Sequence, residues 1–235
     1  MVQRSELKQQ AKDSLRGRWR QAILLNFLPT LIDIIVILFL AIPIILFITN
    51  HVNDTILTQK ATNFGSGGSS GGGIISGIVN ALFMSGISWT YLDVLRGCKT
   101  KIKPFKDAFR GFEGVFIGGI ILLALLTTIF ISLWGLLLII PGIVKFYSYS
   151  QTYFIYYDKV TKTGKKLKVL DTITMSRRLM DGHKWQLFML DLSFIGWHIL
   201  AIVTLGIGYL WLNPYIAATK AAFYEALPKN GMIDY

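Results

Sequence analysis

The chain of 235 residues is poor in cysteine, histidine and acidic side chains. Its one cysteine, Cys98, cannot form a disulfide within the chain, and no paired spacing indicates a metal site. The three histidines fall in different layers of the topology derived below, so they do not predict a metal centre. Gly-x-Ser-x-Gly, His-Glu-x-x-His and phosphate-loop motifs are missing too. These absences predict a protein that is not an enzyme and has no cofactor.

Charged residues are also scarce, since they make up 16% of the chain, against about 25% in a typical soluble protein. Hydrophobic residues make up 53%, and the mean hydropathy is +0.52. Several apolar runs approach or exceed the roughly 20 residues that cross a hydrocarbon core. The composition therefore predicts an all-α, polytopic membrane protein.

Six transmembrane helices, arranged as three hairpins, are predicted within a single membrane domain over residues 1–235. Their expected boundaries are 21–48, 74–92, 115–140, 143–157, 185–205 and 209–227. A Gly/Ser-rich external loop over 50–73 joins the first two, and Pro141-Gly142 is predicted to turn the chain between the third and fourth. A basic cytoplasmic segment over 158–184 precedes the last hairpin.

Each predicted hairpin follows a basic amphipathic segment that ends in an elbow. We call LRGRW (15–19), FRGF (109–112) and SRRLMDGHKWQLF (176–188) the first, second and third elbows. Residues 4–20 and 99–112 are predicted as interfacial helices, because apolar and cationic rows lie side by side. The likeness of the elbows also raises the hypothesis of a threefold internal repeat. The candidate lipid contacts at the elbows are Arg16, Arg18, Trp19, Lys106, Arg110, Arg177, Arg178, His183, Lys184 and Trp185.

The 24 lysine and arginine residues are distributed unevenly over this topology. Six precede the first span, six lie between the second and third, and eight follow the fourth, whereas the other side has Lys60 and, near a helix end, Lys145. The positive-inside rule then places both termini in the cytoplasm. The net charge of +11 would indicate nucleic acid in a soluble protein, but topology explains it here, so no nucleic-acid partner is predicted.

Ionisable residues inside predicted spans are the candidate functional groups. Asp191 and Lys220 both fall at a depth of about 10 Å from the cytoplasmic side, and an ion pair between them is predicted, with a structural role favoured over transport. His198 lies seven residues beyond Asp191, and Asp33 of the first span could reach it. Such a contact would be either a proton-handling pair or, as the favoured alternative, part of a buried hydrogen-bonded histidine site.

Residues 139–158, 170–197 and 213–227, with the opening LKQQAKDSLRGRW, resemble the DUF975 family of bacterial multipass proteins. The resemblance covers most of the chain outside 50–73 and implies a bacterial cytoplasmic membrane protein with no assigned catalytic residues. More distantly, the Pro-Gly-Ile sequence and the later Ser…Met-x-Gly elbow look like the membrane domain of some glycerophosphoryl diester phosphodiesterases. That activity is not carried over, because the chain has no soluble catalytic domain.

Two functional hypotheses follow. The first is a non-enzymatic integral membrane protein that supports membrane or envelope processes through contacts with lipids, including anionic head groups, or with a protein partner or second copy. The alternative is a small transporter or permease component that uses Asp33, Asp191, His198, Lys220 and the Tyr-rich helix over 143–157. The alternative requires these groups to converge on one hydrated cavity.

Overall fold

The computed structural model describes residues 3–52, 69–164 and 168–228. These residues form eleven α-helices and one 3-10 helix, and no strand occurs among them. The all-α prediction is therefore confirmed. The elements are α1 (Arg4–Leu15), α2 (Trp19–Val52), α3 (Ser69–Leu95), α4 (Pro104–Ala108), the 3-10 helix (Phe109–Phe112), α5 (Ile117–Leu137), α6 (Ile139–Tyr149), α7 (Thr152–Thr163), α8 (Val169–Leu179), α9 (Lys184–Leu192), α10 (Ile195–Val203) and α11 (Tyr209–Ala226).

Three stretches among the described residues are long and apolar enough to cross a membrane: Ser76–Leu95, Ile117–Leu136 and Lys184–Val203. The second has the highest mean hydropathy, 2.3. Together they indicate a membrane protein. Length and composition alone do not establish the six spans and the hairpin layout, which stay predictions.

The structure has an interior filled by aromatic residues and, elsewhere, an exposed apolar surface. Large aromatic side chains fill the interior where the C-terminal parts of α3 and α11 meet α7, with Trp89, Tyr91, Tyr156 and Tyr224 fully buried. Elsewhere, large apolar side chains are exposed along α2, α5, α6 and α10. An exposed apolar surface of this extent is typical of contact with lipid.

The predicted interfacial helix 4–20 is shorter in the structure. Helix α1 ends at Leu15, and Gly17 has a left-handed φ of +76°, which a residue with a Cβ rarely adopts. Trp19 consequently begins α2 rather than ending α1. The predicted apolar row is buried at Leu7, Ala11 and Leu15, but α11 covers it instead of lipid.

The second elbow differs from the other two. The predicted helix 99–112 is reduced to α4 and the 3-10 helix, although Pro104 does lie in the first turn of α4 as expected. Gly17 and Gly182 have left-handed φ values of +76° and +77°. Gly111 instead allows close packing, because a Cβ there would lie 2.0 Å from the Leu82 carbonyl oxygen. This difference removes the local basis for a threefold repeat.

The prediction of a turn at Pro141-Gly142 is wrong. The chain breaks at Leu138, where the backbone is extended, and α6 starts at Ile139. Pro141 is accommodated because the first turn of a helix leaves its N–H groups without partners within the helix. A Cβ on Gly142 would lie 2.9 Å from the Cα of Gly135, so this glycine allows α5 and α6 to approach closely.

Other boundaries also differ from the predicted ones. The ends of the segment 50–73 are helical, since α2 runs to Val52 and α3 begins at Ser69, and residues 53–68 lie outside the described part of the chain. The predicted span 143–157 is divided between α6 and α7, and 185–205 between α9 and α10. Of the segment 158–184, residues 165–167 are outside the described part, whereas Asp158 and Lys159 are buried on α7.

Candidate functional site

The predicted ion pair between Asp191 and Lys220 is present. Lys220 Nζ lies 3.2 Å from Asp191 Oδ1, and the Tyr147 hydroxyl donates a hydrogen bond of 3.3 Å to Asp191 Oδ2. The lysine side chain is 42% exposed and the aspartate side chain 25%. The pair therefore joins α9 to α11, and Tyr147 connects it to α6.

His198 belongs to a different neighbourhood. Its Nδ1 lies 3.4 Å from the Tyr209 hydroxyl oxygen, across the α10–α11 contact. Asp33 is on α2, but its side chain lies outside the part of the chain that the structure describes, so its predicted contact with His198 stays a prediction. The structure thus separates His198 from the pair formed by Asp191 and Lys220.

A partly buried ion-pair network at the end of α3 was not predicted from the sequence. Arg96 donates two hydrogen bonds, of 2.6 and 2.8 Å, to the two carboxylate oxygens of Asp158. Its Nε donates a third, of 2.8 Å, to Glu225, and the Tyr224 hydroxyl donates one of 2.7 Å to Asp158. Asp158 is only 4% exposed. The network joins α3, α7 and α11 at one point.

The protonation of Arg96 is secured by this network. The hydrogen bond with Asp158 raises the pKa of the Arg96 guanidinium above its usual value, against the opposing effect of burial. A planar guanidinium that binds both oxygens of a carboxylate forms a strong and directional pair. We infer a structural role for this network, since every charge in it has a partner of opposite sign.

A second network contains Arg110, which the sequence predicted as a lipid contact. Arg110 lies 2.9 Å from Asp93 Oδ2 and donates a hydrogen bond of 2.7 Å to the Tyr157 hydroxyl. That hydroxyl donates in turn to Asp93 Oδ1 at 2.9 Å, and Trp89 stacks on the Tyr157 ring at 4.8 Å. Arg110 is therefore committed to internal partners, which corrects its assignment as a lipid contact.

One sequence signal could have located both networks. Asp93 and Asp158 each lie near the end of an apolar, aromatic-rich stretch. A carboxylate that is buried with its helix needs a cation close by. The charge distribution instead assigned Arg96 to topology and Arg110 to lipid contact, which left these two acidic residues without predicted partners.

The remaining elbow residues occupy three kinds of environment. Arg16, Lys106, Arg177, Arg178 and Trp185 are exposed. In the first elbow, Arg18 donates a hydrogen bond of 3.1 Å to the Ser14 carbonyl, at the end of α1. In the third, Lys184 pairs with Asp181 at 3.5 Å, and His183 Nδ1 lies 2.9 Å from the Asp181 carbonyl oxygen.

An aromatic groove of about 280 Å³ connects the first elbow to α10 and α11. Three of its lining residues are tryptophans, and Lys12 is the only charged one among them. The Lys12 ammonium lies 5.7 Å from the centre of the Tyr215 ring. The groove therefore combines apolar walls with one cation. It is lined by Lys12, Trp19, Trp197, Leu200, Ala201, Thr204, Gly208, Trp211, Leu212 and Tyr215.

A larger cavity, of about 840 Å³, brings the third elbow to the start of α1. Arg4 of α1 lines it together with His183 and Trp185, and so do Phe223 of α11 and Leu227, which directly follows α11. Asp191, His198 and Lys220 line neither this cavity nor the aromatic groove. The candidate polar groups are thus not gathered around either space.

Comparison with known families identifies the chain. A family profile described as protein of unknown function (DUF975) matches residues 1–150 and 136–231. The chain belongs to the DUF975 family. The match confirms the resemblance seen in the sequence and does not support the distant likeness to glycerophosphoryl diester phosphodiesterases. No curated protein and no solved structure matches this DUF975 chain, so its function has to be argued from its own residues.

Proposed function

We propose that this DUF975 protein is a non-enzymatic integral protein of the bacterial cytoplasmic membrane that binds anionic phospholipid. Both termini lie in the cytoplasm, and the chain supports membrane or envelope processes through this lipid contact. The observation that carries the proposal is the aromatic groove, because it presents a cation beside apolar walls in a chain with three apolar stretches of membrane-spanning length.

The chemistry of the groove matches the two parts of a phospholipid. Trp19, Trp197 and Trp211 supply amphipathic rings of the kind that concentrate where head groups meet acyl chains. Lys12 supplies a positive charge for a lipid phosphate, while its ammonium stays close to the face of Tyr215. An acyl chain would lie along Leu200 and Leu212.

The surrounding charge favours an anionic lipid over a zwitterionic one. Lys8 on α1 and Arg16, which directly follows α1, flank Lys12 in the sequence at a spacing of four residues. Each cation near an anionic leaflet contributes about 1 kcal/mol to binding. Burial and the neighbouring Arg4 and Lys12 lower the pKa of Lys8, which is the expected effect of like charges on one helix face. An anionic head group would relieve that repulsion.

Transport is the weaker hypothesis. It required the candidate polar groups to converge on one cavity. Among the described side chains, Asp191 pairs with Lys220 and His198 contacts Tyr209. None of these four residues lines the aromatic groove or the larger cavity. The described geometry therefore supports lipid binding over passage of a substrate.

Replacing Lys12 with glutamine is expected to remove most of the preference for anionic lipid. We expect brominated phosphatidylglycerol to quench tryptophan fluorescence of the reconstituted protein more strongly than brominated phosphatidylcholine at equal mole fraction. Since the cation contributes about 1 kcal/mol, Lys12→Gln should reduce the relative affinity about fivefold. Lys101→Gln is the matched control, because Lys101 is exposed and does not line the groove. Equal quenching by the two lipids in the wild type, or an equal loss in the control, would contradict lipid binding in the groove.

Orientation is tested with the native cysteine. Cys98 is exposed in the structure and follows α3, so in the proposed orientation it faces the cytoplasm. A membrane-impermeant maleimide is expected to label it in inside-out vesicles and to leave it unlabelled in right-side-out spheroplasts. Cys98→Ser supplies the background. Labelling in spheroplasts would place this end of α3 outside and refute the orientation.

A further inference from the structure

We propose that the α10–α11 hairpin (195–214) is re-entrant: it enters one leaflet, reaches about the middle of the bilayer and returns to the side from which it came. Its partner is the acyl-chain layer of a single leaflet. Only the identity of that leaflet, the cytoplasmic one, rests on the proposed function. The inference replaces two of the six predicted spans with a structure that does not cross the membrane.

The hairpin is a continuous antiparallel pair of helices, and both of them line the aromatic groove. The contacts along it follow one register from the ion pair to the tip. They are Asp191 with Lys220 at 3.2 Å, the rings of Phe194 and Tyr215 at 5.4 Å, and the rings of His198 and Tyr209 at 5.7 Å. A Cβ on Gly208 would lie 2.7 Å from the Cα of Ala201, which shows how closely the two sides of the helical hairpin approach near the tip.

The position of helix α1 indicates how far the hydrocarbon can extend along α10 and α11. Its Lys8 ammonium lies 4.4 Å from the centre of the Phe194 ring and donates a hydrogen bond of 3.3 Å to the Ser193 carbonyl oxygen. Lys12 reaches Tyr215, and Leu7 lines the same cavity as Phe223. Helix α1 therefore runs alongside the C-terminal part of α11, and its Lys8 contacts the residues that directly follow α9.

The outward face of α1 is polar. Gln9, Gln10 and Asp13 are exposed there. Transfer of such side chains into hydrocarbon without partners costs several kcal/mol each. The part of α11 that α1 accompanies, from Tyr215 onward, therefore lies outside the hydrocarbon, and with it the ion pair between Asp191 and Lys220. The proposal therefore places that pair less deeply than the depth of about 10 Å expected from the sequence.

The part of the hairpin that remains in the hydrocarbon is too short to cross the membrane. Helix α10 has nine residues, which span about 14 Å at 1.5 Å per residue. The hydrocarbon core is about 30 Å thick. Helix α5, with 21 residues, reaches about 32 Å by the same measure. The apolar stretch Lys184–Val203 attains its 20 residues only by including α9. Asp191 of α9 pairs with Lys220, on the part of α11 that α1 accompanies.

The tip of the hairpin has the chemistry of a buried membrane segment. Leu205 is 94% exposed, and Val203 and Ile207 are 72% and 60% exposed. No charged residue occurs in the sequence between Asp191 and Lys220. The tip of a hairpin that crosses would meet water and head groups, where an exposed leucine gains nothing. In acyl chains the same leucine is stabilised by transfer out of water.

The backbone of the turn is satisfied internally, as hydrocarbon requires. Gly206 N–H donates to the Ala201 carbonyl at 2.9 Å, and Ile207 N–H donates to the Thr204 carbonyl at 3.1 Å. The Gly208 N–H donates to Thr204 Oγ1 at 3.0 Å, and that hydroxyl donates to the Ala201 carbonyl at 2.9 Å. A left-handed Gly206 closes this turn.

Single cysteines distinguish a re-entrant hairpin from a crossing one. In the Cys98→Ser background we compare Leu205→Cys with Ser69→Cys, at the start of α3. The impermeant maleimide is expected to label Ser69→Cys in right-side-out spheroplasts. Leu205→Cys is expected to remain unlabelled from either side and to react after denaturation in SDS. A bimane group on Leu205→Cys should be quenched more by phospholipids with a spin label at the end of the acyl chain than by head-group-labelled ones.

The two proposals fail in different ways. Labelling of Leu205→Cys in spheroplasts would show that the hairpin crosses, and its labelling in inside-out vesicles would show that the hairpin lies outside the bilayer. Either result overturns the re-entrant hairpin. Labelling of Ser69→Cys only in inside-out vesicles would instead overturn the proposed orientation, and the result at Leu205→Cys would still decide whether the hairpin is re-entrant. Loss of the fold is monitored by expression and monodispersity in detergent.

Discussion

Asp158→Asn is expected to destabilise the protein by about 3 kcal/mol. The substitution removes the charge that holds Arg96 through two hydrogen bonds, and it leaves that guanidinium without its bidentate partner. The value lies at the lower end for a broken buried pair, because the Arg96 side chain is 25% exposed and keeps Glu225. Unfolding in detergent, followed by circular dichroism against the mole fraction of SDS, measures the loss.

A matched control and a double variant identify the cause. Asp181→Asn removes a carboxylate that is 83% exposed and pairs with Lys184 at 3.5 Å, so its effect should stay within about 0.5 kcal/mol. Combining Asp158→Leu with Arg96→Met should cost less than the sum of the two single changes, because neither charge is then left alone. Additive losses in the double variant would contradict an interaction between the two side chains.

The sequence identified which faces are buried but not what covers them. The spacing of Leu7, Ala11 and Leu15 predicted one apolar face, and the structure buries all three. Periodicity contains no information about whether the cover is lipid or protein. The interfacial prediction chose lipid, and the structure places α11 there. This choice matters for the proposed re-entrant hairpin, because that proposal depends on α1 lying beside α11.

The sequence predicted the ion pair between Asp191 and Lys220 but not the one between Arg96 and Asp158. Asp191 and Lys220 could be matched by counting residues from neighbouring helix ends, since antiparallel neighbours along the chain share a depth scale. Arg96 and Asp158 are 62 residues apart and lie on helices that are not consecutive. Their contact depends on the order in which helices surround the core, which a single sequence does not specify.

The structural role of each glycine was also ambiguous from the sequence. Pro141-Gly142 predicted a turn because the dipeptide is common in turns. The same residues fit a first helical turn and a close contact between helices, and the structure uses them in that way. Gly17 and Gly182 do terminate helices with left-handed backbones. Local sequence does not distinguish a glycine that permits a left-handed backbone from one that permits close approach of two helices.

Gly111→Ala tests the close approach directly and is expected to destabilise the protein by about 3 kcal/mol, the upper part of the range for overpacking. The new Cβ would lie 2.0 Å from the Leu82 carbonyl oxygen and 2.7 Å from Ser85 Oγ. The first of these is backbone within α3 and cannot rotate away. The 3-10 helix must therefore move from α3, and the adjacent Arg110 is pulled from Asp93 and Tyr157.

Gly118→Ala is the matched control for this prediction. Gly118 lies on α5, is exposed, and has no atom within 4 Å of the position a Cβ would take. Alanine there lowers the conformational entropy of the unfolded chain and should stabilise the protein by about 0.5 to 1 kcal/mol. Opposite signs for two identical substitutions, measured in the same SDS titration, are the expected result. A neutral Gly111→Ala would mean that the second elbow does not contact α3, and that Arg110 is free to serve as the lipid contact first predicted.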